Sequence, residues 1–566
     1  MKKRSTRLSM MAFSLSVIGA CTVMPLTVDT KATAPVLDGF GDTTLVPSQG
    51  NEASRRLFAQ GMAQVYAFNP PEAIRAFKAA LAQDPGCGMC AWGVAHQMGP
   101  TINNPKRGDI TQAKRYIDYA VNHSKDASPR DLALIGSLAL RYGHSAGKNL
   151  APPAAAGDVC STSSGEPADP LDIAYAQHML MLAERFPNDP DVLSAYAEAE
   201  MVATRGDDWW DKVTGKPAGR MGELATMIEA GLVKHPEHVG LNHYMIHAVD
   251  AVPVAARATA AADRLGRLAP KSPHLLHMPS HTYAHLGRYA DATRVNQLAN
   301  AADEAMMADL KKQKFELTRD WRGHNTHFQW YGALMEGRSE LALETARTVA
   351  GRSKGDGEFS EYVRALPMLT LLHLQRWDEL LKEAMPTGGK GIAVVVGNMA
   401  RGIALVRTGK LDEAKAALKL MDPVAKKLVA GMTGKDRYPK MIRGVALSSV
   451  DQLAAEIAFA EKRIDDALAL QAKAVADSVH ANGTEPPMLA SGPRLRLGSM
   501  QMRAGRHAEA EKTYRQDLEN HPKNGWALSG LKLALASQGK PGEMQAVSKD
   551  LATSWALADV KVQSLQ

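Results

Sequence analysis

The amino-acid sequence predicts an all-α fold in which helical hairpins stack into a solenoid. Three observations support this: the length, the composition and a recurring pattern. A chain of 566 residues is too long for one compact core unless it grows by repetition. Aromatic residues make up 5% of the chain and hydrophobic residues 45%, which is typical of stacked amphipathic helices and not of a β-rich protein.

The recurring pattern is that of the tetratricopeptide repeat (TPR), which places two antiparallel helices in 34 residues and ends near a proline. Small residues at fixed positions let the two helices approach closely. The first clear copy starts at Ser54 and carries the expected residues at positions 8, 20, 24, 27 and 32, which are Gly61, Ala73, Phe77, Ala80 and Pro85. Similar offsets recur near the C-terminus, at Gly505, Ala510, Tyr514 and Pro522. We expect about ten helix pairs in one superhelix.

Residues 1–21 have the pattern of an export signal. Four basic residues precede an apolar run from Leu8 to Ala20 that is too short to cross a membrane. Residues 18–21, Ile-Gly-Ala-Cys, match a bacterial lipobox. This predicts lipidation of Cys21 and a lipid-anchored protein of the bacterial periplasm or cell envelope. The alternative is cleavage after Ala34, which Pro35 disfavours.

The charge of the chain argues against nucleic acid as a partner. The leader contains four of the 67 basic residues and none of the 60 acidic ones, which leaves 63 against 60 and a net charge of +3. No Walker-type phosphate loop, dinucleotide fingerprint or Gly-x-Ser-x-Gly elbow appears in the sequence. The expected partner is a small molecule or a protein in the concave groove, with a membrane contacted only through the lipid.

Breaks in the repeat pattern organise the rest of the chain. We expect an extended linker over 22–50, N-terminal repeats over 51–144 and a loop insertion rich in Ala, Pro, Gly and Ser over 145–170. Central repeats over 171–350 carry the histidines described next, and C-terminal repeats cover 351–566. A strict division into independent domains is not supported.

Histidines recur at the repeat period. His243 and His247 occupy positions 5 and 9 of one repeat, and His277 and His281 occupy the same positions 34 residues later. His327 returns to position 5 in the following repeat. These positions face the concave groove, residues four apart share one helix face, and neutral imidazole is the commonest metal ligand. The predicted metal ligands are His243, His247, His277, His281, His327 and, from a neighbouring repeat, Glu198.

Five further groove residues are expected to complete or surround this site: His274, His324, Asn325, Tyr331 and Asp250. The excess of histidine over carboxylate favours copper, with zinc or iron as alternatives. A zinc-peptidase arrangement is excluded because no His-Glu-x-x-His occurs. One histidine pair is usually a packed or solvated feature, but two pairs in register are not needed for packing, which uses other repeat positions.

Two local features have alternatives that the sequence leaves open. Pro279 cannot donate a hydrogen bond to the carbonyl of Leu275, so the helix through His277 is either kinked there or begins only at Met278. Cys87 and Cys90 form a C-x-x-C pair, for which a disulfide or two packed thiols is favoured over a metal half-site or a redox pair.

These motifs resemble a family of bacterial exported TPR proteins, mostly of undetermined function. The resemblance runs from about residue 57 to residue 539 and rests on the strings 87–93 (CGMCAWG), 99–103 (GPTIN), 243–247 (HYMIH), 277–281 (HMPSH), 324–328 (HNTHF), 485–487 (EPP) and 524–528 (NGWAL). Family members typically have Glu where this chain has Asp250, which keeps the carboxylate. The resemblance implies the TPR fold and export, and no established reaction.

Two functions therefore compete at the level of sequence. The first is a metal-dependent protein, either an oxidoreductase or a metal-binding factor, whose site is the histidine cluster. The second is a non-catalytic TPR scaffold that binds a peptide or a protein partner at the cell envelope, which is common among TPR arrays. The groove chemistry favours the first, because peptide-binding grooves of this kind favour Lys, Arg and Asn over His.

Overall fold

The computed structural model describes residues 26–103, 108–144, 169–204, 209–212, 214–434, 437–481, 485–490 and 492–560. Within these residues the chain is helical without a β-strand, and one isolated bridge pairs Trp210 with Pro217. No helix in this part of the chain is both long and apolar enough to cross a membrane. Cys21 and residues 145–168 of the expected insertion lie outside the described residues.

The helices follow one another as antiparallel hairpins, which confirms the predicted all-α, TPR-like solenoid. The first twelve are α1 (Glu52–Tyr66), α2 (Pro70–Gln83), α3 (Gly88–Gln97), α4 (Ile110–Asn122), α5 (Pro129–Arg141), α6 (Pro170–Arg185), α7 (Pro190–Ala203), α8 (Met221–Lys234), α9 (Val239–Ala248), α10 (Thr259–Leu268), α11 (Pro273–His277) and α12 (Pro279–His285). A short 3₁₀-helix (Ala255–Ala258) precedes α10.

The remaining helices continue the same alternation to the C-terminus. They are α13 (Tyr289–Lys312), α14 (Arg322–Met335), α15 (Ser339–Arg352), α16 (Glu358–His373), α17 (Trp377–Lys382), α18 (Ile392–Arg407), α19 (Leu411–Gly431), α20 (Arg437–Ala460), α21 (Ile464–Ala481), α22 (Gly492–Arg503), α23 (His507–Asn520), α24 (Gly525–Ser537) and α25 (Pro541–Ser554).

Small residues at the predicted repeat positions explain the close packing of each hairpin. A Cβ atom added to Gly61 would lie 2.5 Å from the ring of Phe77, and one added to Gly93 on α3 would lie 2.7 Å from the same ring. Phe77 is fully buried between these glycines. The aromatic ring of one helix therefore fills the gap that glycine leaves in its two neighbours, as the repeat pattern predicts.

The segment before α1 packs along the solenoid. We call residues 36–48 the N-terminal strap. The strap is extended, and its side chains Phe40 and Leu45 are 4% and 2% exposed. Val36 exchanges two hydrogen bonds with the side chain of Gln313, and Thr43 donates to Asp191 at 2.8 Å. The expected extended segment is thus a packed element that ties repeats far apart in sequence.

The C-terminal repeats return to the middle of the chain. The indole N–H of Trp526 donates to the carbonyl of Leu334 at 2.8 Å, and that of Trp555 donates to the carbonyl of Met335 at 3.1 Å. Gly287 adopts a φ of +69°, and a Cβ atom there would lie 2.1 Å from the carbonyl oxygen of Pro522. The superhelix therefore curls back on itself, and this closure brings residue 485 to the histidines of the central repeats.

The helix that carries His277 and His281 is divided in two, at the expected proline. Helix α11 ends at His277 and α12 begins at Pro279, while Met278 between them keeps right-handed helical angles (φ −51°, ψ −37°). Helix is therefore present on both sides of Met278, which favours the kinked helix over one that begins only there. The interruption sets the relative orientation of the two histidines.

Candidate metal centre

Six histidines converge on the inner face of the central repeats in two groups of three. His243 and His247 on α9 meet His274 on α11, and we call these the first trio. The second trio is His277 on α11, His281 on α12 and His324 on α14. Within each trio, one ring nitrogen from each histidine lies within 4.8 Å of the others.

The two predicted i, i+4 pairs form the base of the trios. The Nε2 atoms of His243 and His247 are 3.1 Å apart, and those of His277 and His281 are also 3.1 Å apart. With metal–nitrogen bonds near 2.0–2.1 Å, two nitrogens on one ion lie about 3–3.5 Å apart, depending on the angle at the metal. Each pair thus already has the separation of two ligands on a shared ion.

Hydrogen bonds from Nδ1–H, on the side of the ring away from the facing Nε2, fix the position of the proton on His243 and His277. Nδ1–H of His243 donates to the backbone carbonyl of Tyr66 at 2.6 Å. Nδ1–H of His277 donates to Oδ1 of Asn296 at 2.7 Å, and the amide of Asn296 is itself fixed by donating to the carbonyl of Ala292. Metal-binding histidines are oriented in this way, because a donor Nδ1 leaves the Nε2 lone pair free.

Two carboxylates orient His281 in the same manner. Its Nδ1–H lies 3.1 Å from Asp250 and 2.5 Å from Glu485. Both acids also contact His285, whose Nε2 is 3.0 Å from Asp250 and 3.5 Å from Glu485. Asp250, His285 and Glu485 form a third group that could itself hold a cation, although its carboxylates are engaged with imidazoles.

His274 is the least satisfied of the six. Its side chain is 3% exposed, and neither ring nitrogen has a hydrogen-bond partner among the described residues. Its ring stacks on Trp321 at 4.2 Å and on Phe68 at 5.3 Å between centroids. A buried polar atom without a partner costs free energy, and a metal ion in the first trio would remove that cost.

Aromatic rings enclose both trios. Phe68 lies 4.4 Å from His243 and 5.2 Å from His247 between ring centroids, and Phe328 lies 4.9 Å from His277 and 4.6 Å from His281. Phe68 adopts a left-handed φ of +49°, which is unfavourable for an aromatic residue. The strained residue follows α1 closely, so the same turn places the ring and presents the Tyr66 carbonyl to His243.

Burial keeps most of these imidazoles neutral. It lowers the pKa of His243, His274 and His277 well below the ordinary value, and it lowers the pKa of His247 and His324 to about 4. Neutral imidazole is the form that binds metal, so these five need not lose a proton first.

His281 behaves differently from the other five. Burial opposes its charge, but Asp250 and Glu485 outweigh burial and raise its pKa to about 10. Without a metal, the protonated Nε2 of His281 donates to the lone pair of His277 Nε2. An ion at the second trio would have to displace this proton.

Both trios open onto one cavity of about 700 Å³. His247 and His274 of the first trio and His281 and His324 of the second contribute to its wall. The remainder of the wall is largely aromatic and basic, and includes Trp209, Trp321, Phe359, Tyr438, Arg319 and Arg437. The cavity gives a small molecule access to both groups of histidines at once.

A second cavity of about 400 Å³ lies on the other side of the carboxylates. Tyr331, one of the residues expected to surround the metal, lines this space together with His285 and Glu485. Its ring packs edge-on against Tyr289 at 6.1 Å, and burial raises its pKa above the ordinary value. Tyr331 therefore lines a different cavity from the first trio, and His281 of the second trio borders both cavities.

The structure places two of the six predicted ligands apart from the converging histidines. Glu198 lies 3.4 Å from Nε2 of His96 and 3.5 Å from the hydroxyl of Tyr244. His327 lies 3.3 Å from the hydroxyl of Tyr362. A long connection precedes α14, so His324 at position 2, and not His327 at position 5, reaches the second trio.

Other predicted residues take supporting or separate positions. Asn325 donates to Asp303 at 2.9 Å and is turned away from the trios. Cys87 and Cys90 are joined by a disulfide at the start of α3, as the favoured alternative expected.

Sequence reasoning missed the acceptors that orient the ligands. Glu485 lies 204 residues from His281 and became a partner only through the closure of the superhelix. The one signal for it was the Glu485-Pro486-Pro487 string shared with the resembling family. No signal in the sequence points to Asn296 or to the Tyr66 carbonyl. An asparagine within a helix is common, and every residue has a backbone carbonyl, so neither one can be singled out from sequence.

Comparison with known proteins adds little beyond the kind of fold. No model of a known protein family matches the chain, and no curated protein sequence matches it. Among solved structures, the human IFIT1 dimer with m7Gppp-AAAA aligns over 90% of this chain and 92% of its own, at 11% identity and a TM-score of 0.31. Yeast Tom70 aligns over 91% and 93%, at 12% identity and a TM-score of 0.23.

A chain of the APC/C hetero-tetramer Cut9-Hcn1 also aligns, over 91% of this chain and 96% of its own, at 11% identity and a TM-score of 0.23. The assignment of the fold rests on the helical hairpins and the repeat packing described above. The chain is a TPR-like helical repeat protein.

Proposed function

We propose that this protein binds a transition metal through the histidines of its central repeats. The observation that carries the proposal is the geometry of the two pairs, whose Nε2 atoms are 3.1 Å apart while the Nδ1–H groups of His243, His277 and His281 donate to fixed acceptors. A packing role does not require two pairs of buried imidazoles to bring their Nε2 atoms this close together. The unpartnered nitrogens of His274 support the same proposal.

Copper is the metal that this ligand set favours. Imidazole binds Cu, Zn, Fe and Ni, whereas carboxylate-rich sites suit Mg, Ca and Mn. Each trio offers imidazole nitrogen only, and the nearby carboxylates contact ring N–H groups. Phe68 and Phe328 pack against the imidazoles of the two trios and would restrict which molecules reach the ion.

The proposed biological setting is the bacterial cell envelope, with the lipid on Cys21 as the anchor. Either a metal-binding factor or a metal-dependent oxidoreductase fits this setting. The cavity of about 700 Å³ beside the histidines favours an activity on a small molecule. A scaffold that binds only a peptide would need neither the hydrogen-bonded imidazoles nor their aromatic enclosure.

Metal content tests the proposal directly. The sample is the untagged chain that starts after Cys21, and its metal is measured by mass spectrometry after exposure to Cu(II) or Zn(II) and gel filtration. We expect bound metal in the wild type and none in a variant with His243, His247, His277 and His281 changed to Ala. A matched variant changes the exposed His123 and His480 to Ala and should keep its metal.

Circular dichroism must show that each variant keeps the helical content of the wild type. If the fourfold variant does not fold, His247→Ala combined with His324→Ala serves instead, since both side chains are only partly buried. Trace metal of equal amount in the wild type and in the folded variant would overturn the proposed function.

A further inference from the structure

We infer that the central cavity holds two metal ions, one in each trio, and not one ion shared by six histidines. The inference rests on the proposed metal-binding function and concerns the number and place of the ions. It assigns His274 and His324 as ligands. It also assigns Asp250 and Glu485 as groups that orient His281, and not as ligands of a third ion.

Each trio offers three ligands for one ion, and the third imidazole needs to move by no more than about 0.6 Å to come within ligand distance of the other two. Three imidazole nitrogens lie within 4.8 Å of one another in each trio, and the two base nitrogens are already 3.1 Å apart. Three protein ligands with a fourth position open to the cavity is the arrangement of a metal site that also takes an exogenous ligand.

The six nitrogens do not form one site. Two ligands on one ion can be separated by at most about 4.2 Å, twice the metal–nitrogen distance. Within the described part of the chain, no histidine belongs to both trios at 4.8 Å. A single ion would therefore leave the three converging imidazoles of the other trio, and the acceptors that orient them, without an ion.

The two trios are nevertheless neighbours. His274 and His277 come from different trios, lie three residues apart on α11, and have ring centroids separated by 6.1 Å. Both trios open onto the same cavity of about 700 Å³. Helix α11 carries both His274 and His277, so one short helix supplies a ligand to each ion.

The third group is better explained as support for the second ion. Asp250 and Glu485 both accept from Nδ1–H of His281, whose Nε2 points into the second trio. A carboxylate that holds a ligating histidine in one tautomer strengthens the metal site without touching the metal. His285 neutralises the same two carboxylates, which leaves them less available to a cation.

Two neighbouring ions on one cavity define the class of ligand that the site takes. A small molecule with one or two donor atoms can bridge the open positions of both ions. The surrounding Trp321, Phe359, Arg319 and Arg437 would hold an aromatic or anionic portion of such a molecule. A single ion would bind the same molecule through one atom only.

The experiment counts ions in the full exported chain. Apo protein is titrated with Cu(II), and with Zn(II) in parallel, and the bound metal per chain is measured after gel filtration. We expect two ions in the wild type. His243→Ala/His247→Ala and His277→Ala/His324→Ala should each retain one ion, and Glu485→Gln should retain two, with the second bound about 10–100-fold more weakly.

Every outcome decides between the alternatives. No metal in the wild type would overturn the proposed function and this inference together. One ion in the wild type would overturn only the inference, as would a third ion that Glu485→Gln removes. Two ions that either pair of substitutions abolishes together would overturn the assignment of one ion to each trio.

The substituted chains are compared only if they fold. Circular dichroism and the thermal unfolding temperature of the metal-free variants provide that control. Should a double variant unfold, His247→Ala and His324→Ala alone replace the two pairs, because each removes one partly buried ligand from a different trio. Each variant is then expected to bind two ions, one of them more weakly than the wild type does.

Discussion

The central repeats and the C-terminal repeats both enclose a cavity, and the two cavities differ in the polar groups that they concentrate. The central cavity presents imidazole lone pairs held by carbonyl, amide and carboxylate acceptors. The C-terminal cavity, of about 350 Å³, is lined by Arg407, Arg496 and Arg503 together with Glu456. Arg503 donates to Glu456 at 2.9 Å, and Arg496 donates to Gln452 at 2.7 Å.

The comparison shows how a TPR-like groove acquires a specific chemistry. Packing between helices fixes the small and aromatic residues, so the groove positions are free to carry any side chain. Guanidinium groups offer only hydrogen-bond donors and suit an anion, whereas neutral imidazoles offer lone pairs and suit a cation. The two cavities should therefore respond to different ligands, and the variants below test that separation.

The largest expected effect is the response of folding stability to metal. At a free metal concentration a thousand times the Kd, each bound ion stabilises the folded state by about 4 kcal/mol. Wild type and Arg496→Met/Arg503→Met should gain this stability equally, whereas the fourfold His→Ala variant should gain none. Thermal unfolding with and without Cu(II) measures this gain in stability. If the arginine variant also gained no stability from Cu(II), the two cavities would not be separate in their response to metal.

Glu198, which lies apart from the converging histidines, should make stability depend on pH. Burial raises the pKa of Glu198 to about 7 and lowers the pKa of His96, 3.4 Å away, to about 3, so His96 is neutral at pH 7 while Glu198 titrates near that pH. A carboxyl group whose pKa is raised by folding stabilises the protein below its unfolded pKa of 4.5. That contribution disappears as the pH rises to about 7.

The shift of pKa corresponds to about 3 kcal/mol. Relative to Glu198→Gln, the wild type should lose this amount between pH 4.5 and pH 7.5. Urea unfolding of both proteins at the two pH values measures the difference, and His96 cancels because both proteins contain it. A pH-independent difference would show that Glu198 is ionised in the folded state.

Asp191 should connect the N-terminal strap to the first trio. It accepts hydrogen bonds from Thr43, Thr44 and Tyr66, and from Nε2 of His238 at 3.1 Å. Burial opposes its ionisation, but these partners outweigh burial and lower its pKa. Its contribution to stability is therefore present at neutral pH and is lost as the pH falls through the lowered pKa.

We expect Asp191→Asn to reduce the free energy of unfolding at pH 7 by about 2 kcal/mol. It should also weaken metal binding at the first trio, because Tyr66 supplies the carbonyl that orients His243. Isothermal titration with Cu(II) would reveal two unequal sites in this variant. Unchanged binding at both sites would show that the turn holds Tyr66 without Asp191.

The smallest expected effect lies in the C-terminal cavity. Burial lowers the pKa of Arg496 to about 10, so its charge is held at some cost. Arg496→Met removes a charge that burial disfavours, but it also leaves the buried Oε1 of Gln452 without its donor. We therefore expect it to reduce the free energy of unfolding by about 1 kcal/mol. Metal binding should be unaffected, which mass spectrometry of the loaded variant checks.

The repeat pattern predicted from the sequence identified the four histidines that form the two pairs, but it did not identify every residue that contacts them. His243, His247, His277 and His281 share positions 5 and 9, and a 34-residue period is sufficient to align them. His274 and His324 were expected to surround the site, and their convergence depends on the helix break at Pro279 and on where α14 begins. Glu198 was also expected to face the groove, but its carboxylate contacts His96 instead of the converging histidines.

Long-range contacts set the limit of such prediction. A repeat frame describes neighbours along the solenoid, and it has no means of anticipating a contact between Glu485 and His281. The N-terminal strap, expected as an extended linker, is likewise extended but packed. Both features arise from contacts between segments separated by far more than one repeat.

The return of the C-terminal repeats to the middle of the chain changes how the molecule should open. In an open solenoid the terminal repeats fray first and independently, because each touches only its neighbours. Here Trp526 and Trp555 are hydrogen-bonded to carbonyls on α14, and the strap joins residue 36 to residue 313. Amide hydrogen exchange in the last repeats should therefore be protected to a degree similar to that of the central ones, and both should open as one unit.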